Sequence, residues 1–587
     1  ALEIYHDRIR ETVLRDLSDD ERAGLHLEIA EALAATEYAD AADLSHHFRE
    51  AGEDQLASVH TIAAAEAASE ALAFDRAAEL YEAVLELGVP EADRAGLRRR
   101  LGDALASAGR QYEAARAYLD ASEGVDEDER PALLRAAAEM MLTSGHATEG
   151  REVLQRMLAA FSMRLPKTPG RALASLLANR AALGMRGLKA KVKPADEIDA
   201  RTIGKLDACW TASRGLIYSD GLVAADFHAR HLRLALRSGD AIRISRALGF
   251  EAHLLASLKA ENGRSKCFEL VERAEALAEK TNSEYARGMA RQARGHVHLM
   301  FGDWNECREH LDTAIEVFRE RTTDAAQEIG YCEIHAALCE QLMGRVRDLA
   351  PRAQDLLRES TQRAHPYAQG YARGILGHVV YLADDRVEEA QEQLDRYREE
   401  LPVGFQAHIL NFVDTMSALL RYRGKMEDAW TLQQERREEI EGFDVMRAPF
   451  PKGAYLWTLT QNALAMAARG GSTEEYLSVA QRSSQSLTKL PLRHAEAFGK
   501  LGLASVSLLN GDEDAAARDL REALTRFETG KMEMYAALAR LRLAALVGGS
   551  QADELRANAR AYLERERIQA PAKLFEMLAP GSADAIG

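Results

Sequence analysis

Apolar residues recur at every third or fourth position through most of this chain, and glycines interrupt the pattern at intervals. That period is the mark of amphipathic helices broken by turns. The stretch Leu97 to Glu123 shows the unit plainly. Leu101, Gly102 and Leu105 share one face of a predicted helix, Gly109 breaks it, and Ala114, Tyr118 and Ala121 mark one face of the next. The small residues Gly102 and Ala114 let two helices approach closely, while Leu105 and Tyr118 fill the space beside them. A hairpin of this kind cannot bury its apolar faces alone and needs neighbours stacked on both sides.

The same punctuation returns along the chain. Turn markers fall at Gly109, Gly145, Gly221, Gly263, Gly302, Gly344, Asp384 with Asp385, Gly424, Gly470 with Gly471, and Gly511. Single steps between them are about 40 residues, the length of one two-helix repeat. A similar second helix follows several markers: GDWNECREHLDTAIEVF from Gly302, GKMEDAWTLQQERREEI from Gly424 and GDEDAAARDLREALTRF from Gly511. In the last of these, Ala516, Leu520 and Ala523 stand where Ala114, Tyr118 and Ala121 stand in the first unit. Runs of Val, Ile and Thr are scarce beside Ala, Leu, Glu and Arg, so the predicted class is all-α.

Boundaries follow from breaks in the period. Residues 1–35 read as two helices, the second opened by a capping box from Ser18 to Glu21 and carrying Leu25, Ile29 and Leu33 on one face. His6 and Asp7 are adjacent helix positions pointing in different directions, which argues against an acid–base pair. Residues 36–160 read as N-terminal repeats, 161–202 as a basic irregular insert, 203–570 as C-terminal repeats, and 571–587 as a frayed tail. Within the insert, residues 163–193 carry eight basic residues and no acidic one, in a chain whose net charge is −18. Pro166 and Pro169 punctuate it before a basic amphipathic helix, either a contact for a membrane surface, nucleic acid or, favoured among these, an acidic protein surface, or an irregular insert docked on the array with its basic face in water.

The acidic balance disfavours chain-wide binding to nucleic acid or anionic lipid. The five cysteines form no CxxC pair and read as reduced core residues of a cytoplasmic protein. No apolar run is long enough to span a bilayer. The chain opens in mid-helix on Ala1, which reads as a piece of something larger.

Candidate chemistry is thin. Cys332, His335 and Cys339 lie at i, i+3 and i+7 of one predicted helix, but no fourth ligand stands near, and no metal site is expected. His228 with His231, and His296 with His298, read as core or solvated histidines. The sequence has no GxxxxGK[ST], no HExxH and no GxSxG, and its glycine–lysine strings follow no strand. No catalytic residue and no cofactor is expected, and the chain itself is read as non-enzymatic. What remains is surface: in stacked hairpins the first helices line a groove able to hold a peptide or protein. The candidate partner-binding residues there are Arg291, His298, Tyr331, Tyr371 and His378, with Tyr381, Asn411, Tyr455, Trp457 and Asn462 further on.

At its small and aromatic positions the unit resembles the tetratricopeptide repeat, which implies an α-solenoid wound into a right-handed superhelix. YHDRIRETVLRDLSDDERAGLHLEIAEAL further resembles the stretch that closes the ATPase module of bacterial STAND-class signalling proteins, there a winged-helix-like element. Asp207-Ala-Cys-Trp210, Asp220 and the run from Asp226 to Leu232 resemble the C-terminal repeat region of bacterial proteins fusing a serine/threonine kinase, an ATPase module and a repeat array. The kinase and ATPase motifs themselves are absent from this sequence. The resemblance implies a repeat region that binds a protein or effector and regulates upstream domains of the same polypeptide in bacterial signal transduction. A free-standing interaction scaffold and the sensor region of a transcription activator are the alternatives.

Overall fold

In a computed structural model the described residues are 15, 17–36, 39–217, 219–322, 325–362, 365–400, 406–470 and 473–581. The pair His6 and Asp7, the turn residue Gly471 and the last six residues of the expected tail lie outside them. Among the described residues every regular element is a helix. The chain divides into two compact units, Ala1–Arg164 with Gln362–Ala364, and Leu165–Thr361 with His365–Gly587.

In the first unit, antiparallel hairpins stack on their sequence neighbours from Asp19–Ala34 to Ala147–Ala160. Glu91–Ser107 and Gln111–Glu123 show why the sequence pattern works. A Cβ on Gly102 would stand 2.8 Å from the Tyr118 ring, so only glycine lets the two axes come this close. Leu105, Ala114, Tyr118 and Ala121 are all buried. Ser18 forms the expected capping box with Glu21. The helix it starts is held less well than its pattern suggests: Leu25 is 45% exposed and Ile29 42%, and Ala30 is its one buried residue among those described.

The second unit begins with Pro169–Arg186, the basic helix of the insert. It is docked by polar contacts. Ser175 Oγ and Asn179 Nδ2 donate to Asp226 Oδ1 at 2.8 and 3.0 Å, and Arg180 pairs with Glu251 at 2.5 Å. Hairpins follow: α1 (Ala200–Gly215), α2 (Gly221–Ser238), α3 (Ala241–Lys259), α4 (Arg264–Ala278), α5 (Glu284–Phe301), α6 (Trp304–Arg321) and α7 (Ala326–Met343). Close approach recurs here, because a Cβ on Gly288 would meet Phe318 at 2.4 Å and one on Gly295 would meet Leu311 at 2.7 Å. Turn glycines such as Gly302 and Gly344 adopt the left-handed conformation, at φ 76° and 75°. The array coils far enough for distant repeats to touch. Arg493 reaches Glu261 at 2.7 Å, and Trp304 packs on His494 with ring centroids 5.4 Å apart.

The expected frayed tail is a packed element in the described part. Pro571–Leu578 is a helix that buries Leu574, Phe575, Met577 and Leu578. Arg421 Nε donates to Met577 O at 3.0 Å and Gln461 Nε2 to Leu578 O at 2.7 Å, while Arg542 caps Ala579 O. These bonds satisfy carbonyls that a helix C-terminus leaves without intrahelical partners.

Candidate ligand pocket on the first helices

A pocket partly open to solvent is lined by α1, α3, α5 and α7 and by the turn after α1. The intervening helices α2, α4 and α6 contribute no lining residue. Arg246, Gly249, Phe250 and His253 on α3 and Met289, Gln292, Ala293 and His296 on α5 line it with the same spacing. One inward face is therefore repeated, because the hairpin turns each first helix the same way.

Trp210 forms one wall. The Arg246 guanidinium lies 4.5 Å from its ring centroid and that of Arg214 lies 5.5 Å away. Carboxylates fix both arginines: Arg246 donates to Asp207 Oδ1 at 2.9 Å, and Arg214 to Glu328 Oε1 at 2.6 Å. Burial alone would raise the Asp207 carboxyl, but hydrogen bonds and charge from Arg243 and Arg246 outweigh it and hold the group below the usual range. The cations and anions around the pocket are thus largely matched.

The opposite wall is an imidazole stack. His253 and His296 lie face to face with centroids 3.4 Å apart. Burial pushes His253 down to about 3 and His296 well below its ordinary value. The Tyr331 hydroxyl and His296 Nδ1 share a hydrogen bond. His335 in turn donates from Nδ1 to Tyr331 O at 2.7 Å. Three buried polar atoms of the lining have no hydrogen-bond partner in the protein: Gln292 Oε1, His296 Nε2 and Arg246 Nε. Gln292 is only 8% exposed and His296 4%, so leaving these groups unpaired is costly.

Of the ten residues expected on the binding face, Tyr331 alone lines this pocket. Arg291 turns to Glu275 on α4, 3.5 Å away, and His298 bonds Asp303 at 3.1 Å beside Phe268. Both sit a step off the inward face of α5, which presents Met289, Gln292, Ala293 and His296. Tyr371 packs on Tyr367 and His408, His378 is buried against Gly374 O, and Tyr381 lies under Arg386. Half-buried Asn411 lies elsewhere, and Tyr455 is buried and bonded to Glu441. Trp457 is buried on Phe498, and Asn462 is buried between Arg421 and Gln433. These nine form no common site in the described residues. Cys332 and Cys339 are fully buried, and His335 donates from Nδ1 to Tyr331 O.

Sequence reasoning missed Trp210, Arg214, Arg246, Phe250, His253 and Gln292. The available signal was the run around Trp210 together with the register shared by successive first helices.

No family model matches the chain, and no curated protein sequence does. Solved structures with a similar course include NprR in complex with its cognate peptide NprX (TM-score 0.44, 14% identity, 62% of this chain and 99% of that one). The APC/C hetero-tetramer Cut9-Hcn1 gives TM-score 0.41 at 11% identity over 88% of each chain. Yeast Tom70 gives 0.24 at 14% identity, over 87% of this chain and 97% of the other. These likenesses are distant, and the all-helical fold stands on the helices described above.

Proposed function

We propose that this chain is a non-catalytic helical-repeat module that binds a protein or peptide ligand on the first-helix face of α1 to α7. One aromatic side chain of the ligand enters the pocket. The observation that carries this is the lining itself: four consecutive first helices bring Trp210, Phe250 and Tyr331 around three unpartnered polar atoms. Aromatic walls suit a flat apolar group. Gln292, His296 and Arg246 suit the peptide groups beside it. The matched charges favour a neutral insert over a strongly anionic one. An imidazole whose proton leaves at about 3, as for His253, is a poor general base near neutrality, which supports the non-catalytic reading.

In the same reading the module sits in a bacterial cytoplasmic signalling protein, where ligand occupancy regulates an upstream ATPase or kinase. The resemblance of residues 1–35 and 160–240 to such fusions supports this, and five buried free thiols suit a reducing compartment. A ligand preferring one arrangement of the array shifts attached domains only by its differential affinity for the two states.

The test is a titration of N-acetyl-tryptophanamide, N-acetyl-tyrosinamide and N-acetyl-leucinamide followed by NMR. The aromatic amides are expected to shift resonances of α1, α3, α5 and α7, and Phe250→Ala and Gln292→Ala to weaken them about tenfold. Equal binding by the variants, or by the leucine probe, contradicts the reading. For the regulatory half, ATP turnover of the intact polypeptide is expected to respond to a bound peptide ligand and to lose that response in Gln292→Ala.

A further inference from the structure

Three histidines converge in the first unit, and none of them lines the pocket. His26 lies midway along Asp19–Ala34, and His46 and His47 lie on the next helix, Ala41–Glu50. One ring nitrogen of each falls within 4.8 Å of those of the other two. His26 Nδ1 and His47 Nδ1 are 2.9 Å apart, and the three ring centroids are 5.0 to 5.7 Å from one another. His46 is exposed and the other two are half-buried, so the cluster is reachable from solvent.

A hydrogen bond between His26 and His47 accounts for two of the rings, and His46 brings a third ring nitrogen within 4.8 Å of both. A metal ion accounts for all three. Bonds of about 2.0–2.1 Å to tetrahedral zinc put ligand nitrogens roughly 3.3 Å apart. The pair at 2.9 Å and the limit of 4.8 Å for the three bracket that value. Imidazole donors select zinc, nickel or copper over magnesium or calcium.

The placement also gives such an ion something to do. Asp19–Ala34 buries only Ala30 among its described residues, with Leu27 and Leu33 packed on the same small cluster and Leu25 and Ile29 45% and 42% exposed, so few apolar contacts anchor it. A bond from His26 to an ion held by Ala41–Glu50 would clip this helix onto its neighbour.

We propose that His26, His46 and His47 form a three-histidine site for a divalent transition metal ion, with zinc as the reference ion, that pins the helix Asp19–Ala34 to Ala41–Glu50. Sequence scanning does not show the set, because His26 is separated from His46 by the whole of an intervening turn.

The test uses the chelator-treated full chain. Calorimetric titration with Zn²⁺ is expected to show one equivalent bound, with the affinity lowered at least about tenfold in both His26→Ala and His47→Ala. His60→Gln, on a ring that stacks on Phe48, is expected to bind as the parent does. Amide hydrogen exchange in residues 19–34 is expected to slow on adding Zn²⁺ in the parent and not in His26→Ala, with circular dichroism verifying that the variants are helical. Undiminished zinc affinity in both alanine variants, or competition by Mg²⁺ at equal concentration, overturns the site. Binding without slower exchange overturns the clip.

Discussion

Two stretches of the second unit present the same kind of surface and use it differently. On α1, α3, α5 and α7 the inward face is an open pocket, where Gln292 Oε1 and His296 Nε2 have no partner in the protein. On the later first helices Gln406–Tyr422, Pro449–Ala468 and Glu533–Leu546, polar side chains reach the chain's own last helix, Pro571–Leu578. Gln461 makes the contrast sharpest. Like Gln292 it is a buried glutamine on a first helix, but it donates to Leu578 O at 2.7 Å and accepts from Arg421 at 3.0 Å. Stacked hairpins therefore offer a row of buried polar groups on their first helices. One end of the unit pairs them from within, and at the other Gln292 Oε1 and His296 Nε2 have no partner in the protein.

The filled end should carry far more stability than the open one. Removing residues 571–587 strips Phe575, Leu574 and Met577 from the core and leaves the Arg421 and Arg542 guanidinia buried without their carbonyl partners. Even Phe575→Ala alone is expected to cost about 3–5 kcal/mol in urea unfolding. The truncation should cost more. Arg421→Ala, which unpairs Asn462, Gln461 and Met577 O, is expected to cost about 3 kcal/mol. A truncated chain as stable as the parent would erase the distinction between the two ends.

The pH dependence of stability probes the imidazole wall. His253 and His335 titrate at about 3 and about 4 in the folded chain, because burial disfavours their charged forms, against roughly 6.5 when unfolded. Below 6.5 the unfolded chain takes up protons that the folded chain refuses, so stability falls as pH drops from 6.5 toward 4. Each ring contributes about 1.4 kcal/mol per pH unit in that window. His253→Asn is expected to flatten the slope by about that amount, read from urea midpoints between pH 7 and 5. An unchanged slope would mean the ring is hydrated.

The smallest effect belongs to the matched glutamines. Gln461→Ala is expected to cost about 1–2 kcal/mol through the bonds it loses. Gln292→Ala is expected to change stability by less than about 0.5 kcal/mol, since its carbonyl oxygen makes no bond to lose. Comparable losses at both would show that Gln292 is satisfied from within the protein.

The hairpins were legible because they rest on local chemistry: turn glycines, small residues such as Gly102 at close approaches, and large ones such as Tyr118 filling the remainder. The site was legible only as a face. Arg291 and His298 share α5 with Gln292 and His296, and an offset of one or two residues on a helix turns a side chain from groove to neighbour. Trp457 and Asn462 do lie on a first helix, but in the stretch where the array closes on itself. That closure comes from contacts such as Arg493 with Glu261, which no local pattern announces. The last helix was missed for a related reason: LFEML after Pro571 looks like an end until its partners at Arg421 and Arg542 are seen.

The claim that most depends on these observations is that the inward face of α1, α3, α5 and α7 takes an aromatic group. Hydrogen exchange with and without N-acetyl-tryptophanamide tests it directly. The account predicts added protection at the segments around Trp210, Phe250, Gln292 and Tyr331, and none around Gln461 and Asn462. Protection confined to the later helices, or absent from all of them, would contradict it.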